Sequence, residues 1–234
     1  ATIQFALNTS NEYDSIRVAS GTYYENITWI QKSGIKLIGD DKNGTFIDGG
    51  SENKSVIRIS SSPDCEINNF TIQNGNANPG GDHYPGDAHG GGLYVGASNL
   101  ILRNLIIKNN FGLQSGGGFA LQSSSGVLIE NVSIINNEVN TISGSGGGGV
   151  FAHMSNGIFR NVLIANNTSY ERGGGIYIHT GNNFVLENVT MINNTASTEQ
   201  GDEIYNGYSS SCSAKNSIIY GEVYGSLSPT YSLG

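Results

Sequence analysis

Charge is what this 234-residue chain has least of: Asp, Glu, Lys and Arg together make up 13% of it, against about 25% in ordinary globular domains. Only eleven residues are Lys or Arg, and the formal net charge is −8. Nucleic acid and anionic membrane are poor partners for such a surface. No apolar run approaches the ~20 residues that span a bilayer, so no transmembrane segment is expected. No helical segment fills the gaps between the strand-like runs. The chain opens on Ala1 with no signal peptide. A mature secreted product whose leader was removed, or a trimmed chain, is the expectation.

What the chain does have is glycine, asparagine and repetition. It holds 34 Gly residues, about twice the usual share. Glycine clusters at Gly90-Gly91-Gly92, Gly116-Gly117-Gly118, Gly147-Gly148-Gly149 and Gly173-Gly174-Gly175 each open the same pattern, and a degraded copy starts at Gly201. A short apolar strand follows, then a second one, then Asn, an alternating strand and a pair of Asn. Strand-built repeats of this length mean a solenoid.

Aligned on the Asn that opens the last strand, the column reads Asn69, Asn104, Asn131, Asn161, Asn188, Asn216. Its spacing is 27 to 30 residues, except for 35 between the first two. The next residue gives Phe70, Leu105, Val132, Val162, Val189, and two further on stand Ile72, Ile107, Ile134, Ile164, Met191. A period of two marks strands with one face inward. Identical registers stack best as parallel rungs about 4.8 Å apart, with a right-handed crossover. The fold class expected is therefore all-β, a right-handed parallel β-helix of about eight rungs. Asn suits the column because it tolerates a left-handed turn and can bond along a stack. Just before it the charges alternate, Arg103, Glu130, Arg160, Glu187, Lys215, which predicts a surface charge ladder rather than catalytic arginines. Cys65 and Cys212 fall in one column five rungs apart, about 24 Å, too far for a disulfide. Both are expected as free, buried thiols.

One domain, 1–234, accounts for the chain. Residues 1–75 form irregular first rungs, with Ile3 to Leu7 placed as a short helix over the open end of the core. Residues 76–89 form a loop insertion, 90–216 the regular repeats and 217–234 the C-terminal edge, where Pro229 blunts the last strand.

The opening segment, with TIQFALN, DSIRVASGTYYENI, IKLIGDD and TFIDGG, resembles the first rungs of right-handed parallel β-helix proteins of the pectate-lyase-like superfamily. GGGLY, GGGFA, GGGIY and FRNV resemble the repeats of polymorphic outer-membrane and adhesin-like proteins. The resemblance covers nearly the whole chain. It implies the fold, with any sugar site on an outer face of the solenoid, but no single activity, because this scaffold carries lyases, hydrolases, esterases, adhesins and structural proteins.

Three sets of residues are candidates for function. The first is the insertion, where Asp82, His83, Asp87 and His89 could bind calcium or another divalent metal, or simply form a solvated loop. The second is a face of the repeats. Beside the inward Leu93, Phe119, Val150, Ile176 and Ile204, the outward column is Tyr94, Ala120, Phe151, Tyr177, Tyr205, and two residues on come Gly96, Gln122, His153, His179, Gly207. Tyr94, Gln122, Phe151, His153, Tyr177, His179 and Tyr205 are expected to be an exposed face that binds sugar or another copy, unless the rings merely brace the sheet. The third is ten Asn-x-Ser/Thr sequons. Asn8, Asn26, Asn43, Asn53 and Asn167 are the expected glycan sites, and the ladder residues Asn69, Asn131 and Asn188 should stay bare.

No column of paired carboxylates emerges, and Asp40, Asp41 and Asp48 read as turn residues. The leading expectation is thus a non-enzymatic extracellular or cell-surface solenoid, adhesin-like or fibre-forming. Its partners would be extracellular polysaccharide or itself, end to end or side by side. The alternative is a polysaccharide lyase, glycoside hydrolase or sugar-binding module on the same scaffold.

Overall fold

The computed structural model describes residues 2–50, 52–78, 88–140, 146–198 and 200–229. They wind into a right-handed parallel β-helix whose strands form parallel sheets of fifteen, eight and five. The solenoid has about seven turns. Eight strands stacked in one sheet enclose those windings, in line with the expectation of about eight rungs. Among the described residues, no helix is long and apolar enough to cross a membrane.

The eight-strand sheet runs from Ile27–Ile30 through Ile57–Ser60, Leu93–Gly96, Phe119–Gln122, Val150–His153, Ile176–Ile178 and Ile204–Asn206 to Val223–Tyr224. Its register pairs Leu93 with Phe119, Phe119 with Val150, Val150 with Ile176 and Ile176 with Ile204. All five side chains are buried in the core. Phe70, Leu105, Val132, Val162 and Val189 form a second buried column on the fifteen-strand sheet. At the N-terminal end the helix Ile3–Thr9 lays Ile3 and Leu7 over the core, with Thr2 capping it.

The two asparagines of each repeat do different work. The strand-opening column, Asn69 to Asn216, lies entirely in the left-handed region, with φ between +49° and +65°. Its side chains bond along the stack, Asn131 Nδ2 donating to Asn104 Oδ1 at 3.3 Å and Asn188 Nδ2 to Asn161 Oδ1 at 3.0 Å. In the later pair, the first Asn is again left-handed and turns the second inward. Asn110, Asn137, Asn167 and Asn194 are all buried. Each donates Nδ2 to the Oδ1 of the next, at 3.0, 2.9 and 2.8 Å. Asn194 then donates to the carboxylate of Glu203, itself buried. Asn167 therefore cannot take a glycan: both its amide nitrogen and its oxygen are bonded inside the solenoid. Asn8, Asn43 and Asn53 are exposed, and Asn26 is half-buried.

The glycine clusters are where one rung touches the next. A Cβ on Gly117 would stand 2.4 Å from the carbonyl oxygen of Glu138 and 2.5 Å from that of Gly148, so no larger residue fits. Gly116 before it takes a φ of +66°.

The charge ladder forms from Arg103 to Glu187 and gains Glu66 at one end, while no ion pair to Lys215 is seen among the described residues. Arg103 Nε lies 2.8 Å from Glu130 Oε2 and its Nη1 3.4 Å from Glu66 Oε1. Arg160 bridges Glu130 and Glu187 at 3.5 and 2.8 Å. Cys65 and Cys212 are free and buried, and burial pushes their thiols up to about 11 and about 12.

Candidate functional site

The site is built on the outer face of the eight-strand sheet, and one expectation about it fails. The tyrosines of that face are not exposed. Tyr94, Tyr177 and Tyr205 keep 6%, 2% and 7% of their surface, and only Phe151 is half-buried. A further column covers them. The residues just ahead of the glycine clusters pair in parallel, His89 with Ser115 and Gly146 with Arg172, and Arg172 in turn with Gln200. This edge folds over the sheet. Arg172 sits 5.3 Å above the Tyr205 ring, and His89 stacks on Phe151 at 5.9 Å. Arg58 covers Tyr94 at 4.4 Å from within the sheet itself. The apolar area that was expected to recruit a partner is sealed by the chain's own cations and rings.

What remains open lies beside the sealed column. A cleft of about 340 Å³ is lined by Arg172, Tyr177, His179, Gln200, Tyr205 and Tyr208, among others. Tyr208 projects at its rim, 85% exposed. Tyr224 stacks on Tyr205 with ring centres 4.5 Å apart and closes the C-terminal side. The rung geometry explains the placement. Tyr177 and His179 are two residues apart around the strand Ile176–Ile178, so both leave the same face.

Among the described residues that line this cleft, Arg172 is the only Lys or Arg. Its Nε donates to Gln200 Oε1 at 3.1 Å, and its side chain reaches the Tyr177 hydroxyl. Among the described residues it makes no ion pair. Its hydrogen-bond partners are neutral, Glu171 acts on it only through charge, and a guanidinium so held keeps donors ready for an anion. Burial raises the Tyr177 phenol above its ordinary value, so it stays protonated. Burial, the neighbouring His153 and Arg172 together hold the His179 imidazole below its ordinary value. His179 is thus neutral near pH 7. Its Nδ1 faces that of His153 at 2.9 Å. The described residues lining the cleft include no carboxylate.

The structure therefore brings together Tyr177, His179 and Tyr205 from the expected face, with His153 directly beside His179. Gln122 instead accepts from the Tyr94 hydroxyl at 2.7 Å, further along the sheet. Arg172, Gln200 and Tyr208 were not singled out by sequence reasoning. A signal existed for two of them: Arg172 and Gln200 occupy the position just before the first glycine of their repeats, a column left unread. Asp82, His83 and Asp87 lie outside the described residues. His89, the last member of that proposed metal set, is spent on the stack with Phe151. No group of three or more His, Cys, Asp or Glu among the described residues could hold a metal ion.

No family model matches the chain, and no curated protein matches it. Solved structures do. A pectin methylesterase solved in complex with a hexasaccharide superposes with a TM-score of 0.60 at 14% identity, covering 96% of this chain and 76% of that one. The pectin methylesterase from Yersinia enterocolitica gives 0.60 at 13% identity, covering 99% and 94%. The one from carrot gives 0.54 at 13%, covering 98% and 79%. What is shared is the fold. At such identity the likeness extends to the winding of the solenoid and assigns no residue a role.

Proposed function

We propose that this protein is an extracellular enzyme acting on an acidic polysaccharide, working in the cleft between Arg172 and Tyr208. The observation that carries the reading is the pairing of Arg172, a cation without a carboxylate partner among the described residues, with a neutral imidazole, His179, in one solvent-open cleft. Likeness to sugar-acting enzymes of the same fold supports it. The adhesin or fibre reading that led from sequence rested on repeats resembling surface proteins and on the lack of a recognisable catalytic constellation, and the covered aromatic column offers it no exposed assembly face.

The chemistry that fits is β-elimination. Arg172 and Gln200 hold the carboxylate of a uronate ring, and the guanidinium stabilises the negative charge that grows there when the ring's C5–H is removed. His179 accepts that proton. The electron pair forms a C4–C5 double bond as the C4–O bond to the next sugar breaks. The His179 imidazolium then returns the proton to the departing oxygen. Tyr208 at the rim offers its ring to a neighbouring sugar. A two-carboxylate hydrolase has no such support, because the described cleft lining holds no carboxylate.

The test is incubation with a panel of uronate-containing polysaccharides, following the ultraviolet absorbance of unsaturated uronate ends. The reading expects absorbance from the wild type, and none from His179→Gln at an unchanged melting temperature. Product that lacks the double bond, or full activity in His179→Gln, overturns the elimination chemistry.

A further inference from the structure

We propose that His153 and His179 form a binding site for one divalent transition-metal cation of the Cu²⁺, Ni²⁺ or Zn²⁺ class on the outer face of the eight-strand sheet. The two imidazoles come from adjacent rungs, where Gln122 pairs with His153 and Tyr177 with Phe151 in register. Their Nδ1 atoms stand 2.9 Å apart and the ring centres 4.9 Å apart. Only one proton fits between two nitrogens at that distance. A cation with metal–nitrogen bonds of about 2.0–2.1 Å also fits, because two such ligands at a right angle lie about 2.9 Å apart.

Three further features favour the cation. Among the described residues no ion pair engages either imidazole. Imidazole nitrogen is the ligand that suits copper, nickel and zinc, and the proton between the two Nδ1 atoms is the one a metal would displace. The backbone also holds the pair ready: His179 N donates to Ala152 O at 2.8 Å, which locks the second rung against the first. The next residue in the column is Gly207, which packs closely on the His179 carbonyl, while Gln122 stands one rung away on the other side. Both histidines are half-buried rather than sealed, so a hydrated ion can reach them.

Proton and cation compete for the same two nitrogens. A bound metal occupies His179 and removes the base of the proposed elimination. The site itself does not depend on that reading, because it rests on the geometry of the pair alone.

The experiment is calorimetric titration of the full chain with CuCl₂ and ZnCl₂, for the wild type and for His153→Gln, His179→Gln and His89→Gln. Gln already occupies the same column at 122, so the solenoid tolerates it, and melting curves in chelator check that each variant folds. One site per chain is expected in the wild type and in His89→Gln, tighter for copper than for zinc. It should be lost in His153→Gln and in His179→Gln. A wild type that binds neither ion, or binding that survives both single substitutions, overturns the proposal. Inhibition by zinc of any uronate-cleaving activity is a separate readout: its absence beside intact binding would count against the base assignment, not against the metal site.

Discussion

Asn194 donates its side-chain amide to the carboxylate of Glu203, and the contact closes a ladder of buried amides that begins at Asn110. Glu203 stands where the glycine pattern of the last repeat breaks down. The Asn194 amide also donates to Ile164 O, and the carboxylate takes the place that the next asparagine's Oδ1 fills on the earlier rungs.

That placement has a pH signature. Burial raises the Glu203 carboxyl above its ordinary range, and the Asn194 bonds only partly offset it. The folded state then binds this proton more tightly than the unfolded chain does. Its contribution to stability is present at acid pH and fades as pH rises from the unfolded value through the folded one. Glu203→Gln should remove this slope and make the protein more stable at neutral pH than the wild type. Urea unfolding at several pH values checks it. A variant less stable at pH 7, with the slope unchanged, contradicts the assignment.

Interrupting the ladder in its middle should cost more than removing any exposed polar group. Asn137→Leu takes away the acceptor of both the Asn110 amide nitrogen and its backbone N–H, as well as a donor to Ile107 O. Buried groups left unpaired cost about 1–3 kcal/mol each, so a loss of roughly 3 kcal/mol is expected by chemical denaturation. Val162→Ala should lose roughly 2 kcal/mol through the cavity it leaves. Val162→Asp should be worse, since it buries an unpaired charge.

The charge ladder predicts the opposite pH dependence on the surface. Hydrogen bonding to Arg103, together with Arg160, holds the Glu130 carboxyl below its ordinary range. Its contribution is full above the unfolded value and is lost as pH falls through the folded one. Glu130→Lys puts three cations on successive rungs and should lower the melting temperature. Added salt should narrow the gap to wild type. An identical gap at low and high salt would mean the effect is not electrostatic.

If the protein is made in a glycosylating host, sugars should appear at Asn8 and Asn43 and never at Asn167. Peptide mapping by mass spectrometry decides this. A glycan on Asn167 is incompatible with the buried ladder, because its amide nitrogen would have to leave its bonds to Ile134 O and Asn194 Oδ1.

The stacking register was legible because each rung repeats the same residue types at the same offsets, as in Phe70 to Val189. The fate of Tyr94, Tyr177 and Tyr205 was not. Alternation separates inward from outward side chains, but it is silent on whether another part of the chain lies over the outward ones. Arg172 and His89 do so from a position whose residues, His, Ser, Gly, Arg and Gln, share no chemistry that a pattern would reveal. Asn167 was misjudged for a related reason. The sequon is visible, but the left-handed turn at Asn166, with φ of +56°, points the next residue inward. The cleft was half legible: Tyr177, His179 and Tyr205 stood in the expected face, while the cation that gives the site its preference did not.

The measurement that bears most directly on the account is the affinity of the intact protein for a uronate oligosaccharide and for its carboxyl-reduced, neutral counterpart, with wild type and Arg172→Gln. A hydrogen bond to a charged group is worth about 1.5–3 kcal/mol, so the acidic sugar should bind the wild type roughly tenfold or more tighter than the neutral one. Arg172→Gln should erase that preference and leave the neutral sugar's affinity unchanged. Equal binding of both sugars by the wild type, or a preference that persists without Arg172, would contradict a cleft built to read an acidic polysaccharide.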